Sequence, residues 1–142
     1  MFRHIAAGTL AIGCLGISGP ALAAELTIRI HDIPSGGGQI MIAVLGSEAA
    51  FDGKEPAIAS LILPATASEI TVSTSALPPG SYALRVMHDR NGDGEMNSNL
   101  LGMPTEPWGF SNDASGSFGP PGWQAARFDL TDQTSQNIRL NH

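Results

Sequence analysis

Apolar and polar side chains alternate with period two along much of the chain from residue 25 onward. In Glu25–Ile33, Leu26, Ile28 and Ile30 fall on one side and Thr27, Arg29 and His31 on the other. That is the pattern of a half-buried β-strand. Pro34-Ser35-Gly36-Gly37-Gly38 reads as a turn closing a hairpin, since no Lys-Ser/Thr pair follows to make a phosphate loop. Gln39–Leu45 is apolar almost throughout and predicts a central strand covered on both faces. Gly46–Pro56 is polar and irregular, with Phe51 as its expected anchor. Ala57–Leu63 predicts a third strand, stopped by Pro64, and Glu69–Thr74 a fourth with Ile70 and Val72 inward.

Leu77-Pro78-Pro79-Gly80-Ser81-Tyr82 leads into a strand over Ala83–His88, with Tyr82, Leu84 and Val86 on one face. This entry predicts a tyrosine corner, in which the phenol bonds back to upstream backbone while the chain changes sheets. Gln124–Leu130 and Ser135–Leu140 complete the set, with Ala126, Phe128, Leu130, Ile138 and Leu140 inward. Seven short strands, no helical period and no internal repeat predict an all-β fold. The expected form is an antiparallel Ig-like or transthyretin-like β-sandwich, with a small closed β-barrel as the alternative.

The stretch from about 89 to 122 breaks the pattern. It shows neither strand nor helix periodicity, yet His88–Trp123 holds both tryptophans, Trp108 and Trp123, together with Phe110 and Phe118. Structureless loops beyond about 12–15 residues are usually functional or disordered, and this one is too aromatic for a solvated linker. One long ordered loop is therefore expected. Its aromatics have two readings. They are anchors buried against the sandwich end, or Trp108 and Trp123 form a flat platform for a glycan or a protein partner.

Composition adds the context. Residues 1–23 combine a short basic start, an apolar run over Ile5–Ile17, Pro20 and the Ala21-Leu22-Ala23 motif. These are the features of a secretory signal peptide, too short for a membrane span of about 20 residues. Its removal predicts export to the periplasm or beyond, with no transmembrane segment left. It also takes away Cys14, the single cysteine, so residues 24–142 form one domain without disulfides. Against thirteen carboxylates this domain keeps only Arg29, Lys54, Arg85, Arg90, Arg127 and Arg139. That balance argues against nucleic acid and anionic surfaces and is compatible with cations.

The candidate chemistry sits at the start of the loop, in Asp89-Arg90-Asn91-Gly92-Asp93-Gly94-Glu95-Met96-Asn97. Side-chain oxygens at alternate positions with a Gly after the third match what Ca²⁺ requires, namely several hard oxygen ligands around a sharp turn. Asp89, Asn91 and Asp93 would ligate directly. Glu95 would offer its backbone carbonyl, Asn97 would bind directly or through water, and Met96 would tuck beneath. Leu100 stands at the twelfth position, where an EF-hand has its bidentate Glu, so Asn99, Glu106 or Asp113 would have to fold back to complete the shell. A plain surface turn is the alternative, since N-G and D-G are ordinary turn signals. His88 reads as a core-edge histidine bonded to backbone, or else as a metal or catalytic group. Ser111 lacks the setting of an activated nucleophile. Glu106, Asp113 and Asp89 are the carboxylates available for glycoside chemistry.

The Leu-Pro-Pro-Gly-x-Tyr-Ala entry, HDRNGDGEMNSN, LGMPTEPWGFSN and FGPPGWQAARFDL together resemble a bacterial family of exported proteins catalogued as domain of unknown function 2141. The resemblance covers the chain beyond the leader. It implies export, a β-sandwich and no established activity. The usual family loop reads His-Asp-x-Asn-x-Asn/Asp-Gly-Lys-x-Asp-x-Asn. Here Glu95 replaces the Lys, Asn97 replaces the Asp, and Trp108 stands where Tyr is common. The expectation is a non-enzymatic envelope module with a Ca²⁺-braced loop that presents a binding surface. The alternatives are a hydrolase acting on glycans and a structural protein that assembles through a sheet edge.

Overall fold

The computed structural model describes residues 23–142, so the expected signal peptide lies, but for its last residue, outside the described residues. Two sheets face each other. One has the order β4-β1-β8, from β1 (Ala24–His31), β4 (Glu69–Leu77) and β8 (Gln133–Arg139). The other has the order β3-β2-β5-β6, from β3 (Ala59–Pro64), β2 (Gln39–Leu45), β5 (Gly80–Asp89) and β6 (Trp108–Phe110), with β7 (Phe128–Leu130) also paired to β5. Leu26, Ile28 and Ile30 of β1 are fully buried against Ile40, Ile42, Leu84 and Val86 of the second sheet, and Ile138 and Leu140 join them. The all-β sandwich expected from the alternation is present.

Three connections differ from the expected ones. Pro34–Gly38 closes no hairpin, because β1 pairs with β4 and β8 while β2 pairs with β3 and β5. The segment carries the chain from one sheet to the other. Its last glycine, Gly38 (φ +81°), lies so close to the Asp89–Arg90 backbone that a Cβ would come within 2.4 Å of the Asp89 carbonyl oxygen. β1 and β8 are parallel, so the sandwich is not purely antiparallel. The strand expected over Gln124–Leu130 is divided. Trp123–Ala126 is a helical turn (α2), and only Phe128–Leu130 pairs as strand. Ala126, Phe128 and Leu130 are nevertheless buried as expected.

The corner before β5 has the expected bond. Tyr82 Oη donates to the Pro78 carbonyl at 2.7 Å where the chain passes from β4 to β5, and so between sheets. Gly46–Pro56 contains a one-turn helix, α1 (Glu48–Phe51), whose Ser47 Oγ accepts the Ala50 N–H. Phe51 on this turn is buried. Among the described residues no helix is long and apolar enough to cross a membrane.

Candidate functional site

β5 positions the site. Strand geometry sends alternate residues to opposite faces, so Leu84, Val86 and His88 enter the core while Asp89 emerges on the other face at the strand's end. His88 is fully buried, and its Nε2 lies 2.7 Å from the Gly37 carbonyl oxygen. A carbonyl can only accept, which puts a ring proton on Nε2. The ring's Nδ1 has no partner among the described residues. The core-edge reading of His88 fits this geometry, and the ring lies away from the carboxylates that follow.

Asp89 is the pivot of the loop. Its side chain is buried; Oδ1 accepts the Gly92 N–H at 2.9 Å, and Oδ2 accepts from Gly94 N at 2.8 Å and Gln39 Nε2 at 3.0 Å. Burial pushes this carboxyl upward, but donation from Gly94, Gln39, Gly92 and Asp93 outweighs it and holds the group below the usual aspartate range. Gly92 (φ 71°) and Gly94 (φ 77°) take the left-handed conformation needed to aim their N–H groups inward. Asp93 repeats the device one turn on. Its Oδ1 accepts the Glu95 N–H, and its Oδ2 accepts from Asn91 Nδ2 and Asn97 Nδ2, both at 3.1 Å.

The following segment folds back, as a completed shell would require, and the residue it delivers is Glu106. This side chain is only 6% exposed; it accepts the Arg90 N–H at 3.2 Å and the Asn97 N–H at 3.4 Å. Carboxylate oxygens of Asp89, Asp93 and Glu106 all lie within 4.8 Å of one another. None of the three joins a salt bridge among the described residues. Oxygens at about 2.3–2.6 Å from one Ca²⁺ ion stand at most about 5 Å apart, so this spacing fits a shared ion. The all-oxygen donor set fits it as well. Asn91 and Asn97 are within reach of Asp93, although both direct their amide nitrogens at it. Glu95 points to solvent.

Two other candidates are occupied elsewhere. Asn99 Oδ1 caps its own turn, accepting the N–H groups of Leu101 and Met103. Asp113 Oδ1 accepts the Arg139 N–H on β8 at 2.8 Å, far along the chain from the triad. Met96 is not tucked beneath the loop; it is 37% exposed. The hydroxyl of Ser111 is fully buried, donating to the Ala126 carbonyl and accepting the Leu84 N–H at 2.9 Å. It holds the loop to β5 and is not presented to solvent.

The aromatic part of the long stretch is not structureless, contrary to its lack of periodicity. Trp108–Phe110 forms β6, pairing Arg85↔Phe110 and Met87↔Trp108, and Trp108 bridges to Asn141 beyond β8. The rings of Trp108 and Phe110 are 5.7 Å apart, those of Phe110 and Phe51 5.7 Å, and those of Phe51 and Trp123 6.1 Å, all tilted or edge-on. The half-buried indoles thus flank a small second core with Leu45, Ala83 and Ala126. They do not make one flat platform. Phe118 stays outside it, fully exposed.

Asn112 was hidden from sequence reading. It holds a left-handed φ of 61°, exchanges two hydrogen bonds with Gln136 of β8, and donates to the Ala125 and Arg127 carbonyls. A positive φ at a non-glycine residue costs energy, and Asn tolerates it best; an Asn inside a Gly-rich run was the only signal available.

The fold and this loop define an all-β sandwich with an oxygen-lined turn at one end. The chain belongs to the bacterial family described as "Uncharacterized protein conserved in bacteria (DUF2141)", which matches residues 28–139. No curated protein and no solved structure matches it.

Proposed function

We propose that this chain is an exported, non-enzymatic envelope module whose loop Asp89–Asn97 is braced by Ca²⁺ and presents a surface for binding. The observation that carries the reading is that carboxylate oxygens of Asp89 at the end of β5, of Asp93 and of Glu106 lie within 4.8 Å of one another, brought together from two chain segments. Like charges this close repel unless an ion or protons intervene. With Asp89 held ionised by its donors, an ion is the better remedy. The two innermost carboxylates, Asp89 and Glu106, are 0% and 6% exposed and offer no surface to a sugar ring, which weighs against the glycan-hydrolase alternative.

The test is a thermal melt of the protein lacking residues 1–23, in excess CaCl₂ and in EDTA. An ion that binds only the folded state stabilises it by about 2.7 kcal/mol at a hundredfold excess over Kd. Ca²⁺ should raise the melting temperature of the natural sequence and leave that of Asp93→Asn and Glu106→Gln nearly unmoved. Identical melts of the natural sequence with and without the ion would remove the reading. Export is tested separately, by sequencing the N-terminus of the protein produced with its full leader.

A further inference from the structure

Just past the carboxylates the loop makes an ordered hairpin with an apolar tip. Leu100 is 106% exposed, Leu101 87% and Met103 60%. These are the most exposed aliphatic side chains among the described residues, and they fall within four consecutive positions. The tip is built, since Ser98 bridges to Pro104, Asn99 N donates to the Met103 carbonyl, and Gly102 N donates to the Asn99 carbonyl. Asn99 Oδ1 takes the N–H groups of Leu101 and Met103 at 2.9 and 3.1 Å. From Asn99 to Met103, only the Leu100 N–H lacks a partner inside the turn.

We infer that this tip inserts into a phospholipid surface. An apolar group held in water is unfavourable, and grouped exposed hydrophobics mark interaction sites. Two features favour lipid as the occupant. The turn pairs the N–H groups of Asn99, Leu101, Gly102 and Met103 internally, which eases their transfer out of water, where an unpaired donor is costly. No charged residue occurs from Met96 to Pro104, so no charge need be carried beneath the headgroups. Charge chooses the lipid. The chain carries a formal net charge of −6, and Asp93, Glu95 and Glu106 flank the tip with Arg90 as the only nearby cation in sequence. Zwitterionic headgroups are therefore preferred to anionic ones. Insertion draws on the aliphatic side chains and does not require the ion, so it goes beyond the cation reading and stands or falls separately from it.

The experiment is flotation of the protein lacking residues 1–23 with vesicles of pure phosphatidylcholine and vesicles doped with phosphatidylglycerol, each in EDTA. The natural sequence should float with phosphatidylcholine. The double variant L100S/L101S should bind about tenfold or more weakly, because each leucine withdrawn from an apolar phase is a large loss. Its melting temperature should match the natural one, since both side chains already stand in solvent. Absence of flotation, or equal flotation of the variant, would overturn the inference. So would a preference for the phosphatidylglycerol vesicles. A concentration-dependent dimer that L100S/L101S abolishes, without vesicle binding, would assign the tip to a second copy of the chain and overturn it too. The calcium melt is read independently of these outcomes.

Discussion

The two halves of the long stretch between β5 and β7 are ordered by different physics. Asp89–Asn97 contributes no residue to either hydrophobic core. Its shape comes from carboxylate and amide oxygens that accept neighbouring N–H groups, with Glu106 closing the ring from outside. Trp108–Ala126 is ordered by burial, with Phe110, Phe51, Trp108 and Trp123 in one cluster, and by staples such as Asn112–Gln136 and Ser111–Leu84. The contrast teaches where each half draws its stability. A buried aromatic contributes several times more than a solvent-exposed hydrogen bond, so the second half stands without help and the first is the half an ion would strengthen.

The largest test of this contrast is Phe110→Ala. Removing a ring packed between Phe51 and Trp108 should cost about 3–5 kcal/mol in denaturant titration, with or without Ca²⁺. A cost below that of a surface substitution would show that the aromatic cluster does not hold the segment. Gly109→Ala comes next. A Cβ there would sit 2.7 Å from Ile138 Cγ2 and 2.9 Å from the Arg139 carbonyl oxygen, forcing β6 off β8. Overpacking of this kind should cost about 1–3 kcal/mol, and near-neutrality would mean that β6 has room to move. In the other half, Asp93→Asn should change stability in EDTA by under about 0.5 kcal/mol, as exposed positions do, while abolishing the gain from Ca²⁺.

The smallest expected effect concerns acid. Burial raises the Asp89 carboxyl, but the Gly94, Gln39, Gly92 and Asp93 donors lower it further, for a net shift downward. A carboxyl lower in the folded than in the unfolded chain contributes stability above its unfolded value and loses it as pH falls through the folded one. Denaturation measured at a series of pH values should therefore show stability falling below the ordinary aspartate range. Asp89→Asn should flatten that slope, and an unchanged slope would show that the donors do not favour the ionised form.

Most of the core was legible because a strand's side-chain period is two. Leu26, Ile28, Ile30, Leu84, Val86, Ile138 and Leu140 could be assigned inward from alternation, and all are buried. Gln39–Leu45, expected to be covered on both faces, buries Ile40, Ile42 and Val44 but leaves Gln39, Met41 and Ala43 half-buried. The tyrosine corner was legible because Pro-Pro-Gly constrains the approach to Tyr82. Strand β6 was not, since three residues with a glycine at their centre carry no period. Trp108–Phe110 becomes a strand only because β5 has a free edge beside it. Pro34–Gly38 misled for a related reason. Glycines permit a tight turn, but whether they close a hairpin or cross between sheets depends on which strands lie alongside.

The oxygen-rich turn divides in the same way. Asp89, Asn91 and Asp93 could be chosen from local spacing, because a D-x-N-x-D-G run dictates its own backbone reversals. Asn99, Glu106 and Asp113 were equal candidates to join them, each a polar residue at an uncertain distance. Tertiary structure separated the three. Asn99 is consumed by its own hairpin, Asp113 is drawn to β8 by the Arg139 N–H, and Glu106 is carried back to Asp89 by the pairing of the segment that runs into β6. Local chemistry is written in neighbouring residues. Which distant carboxylate completes it is decided by strand pairing, since only the paired backbone sets where each side chain ends up.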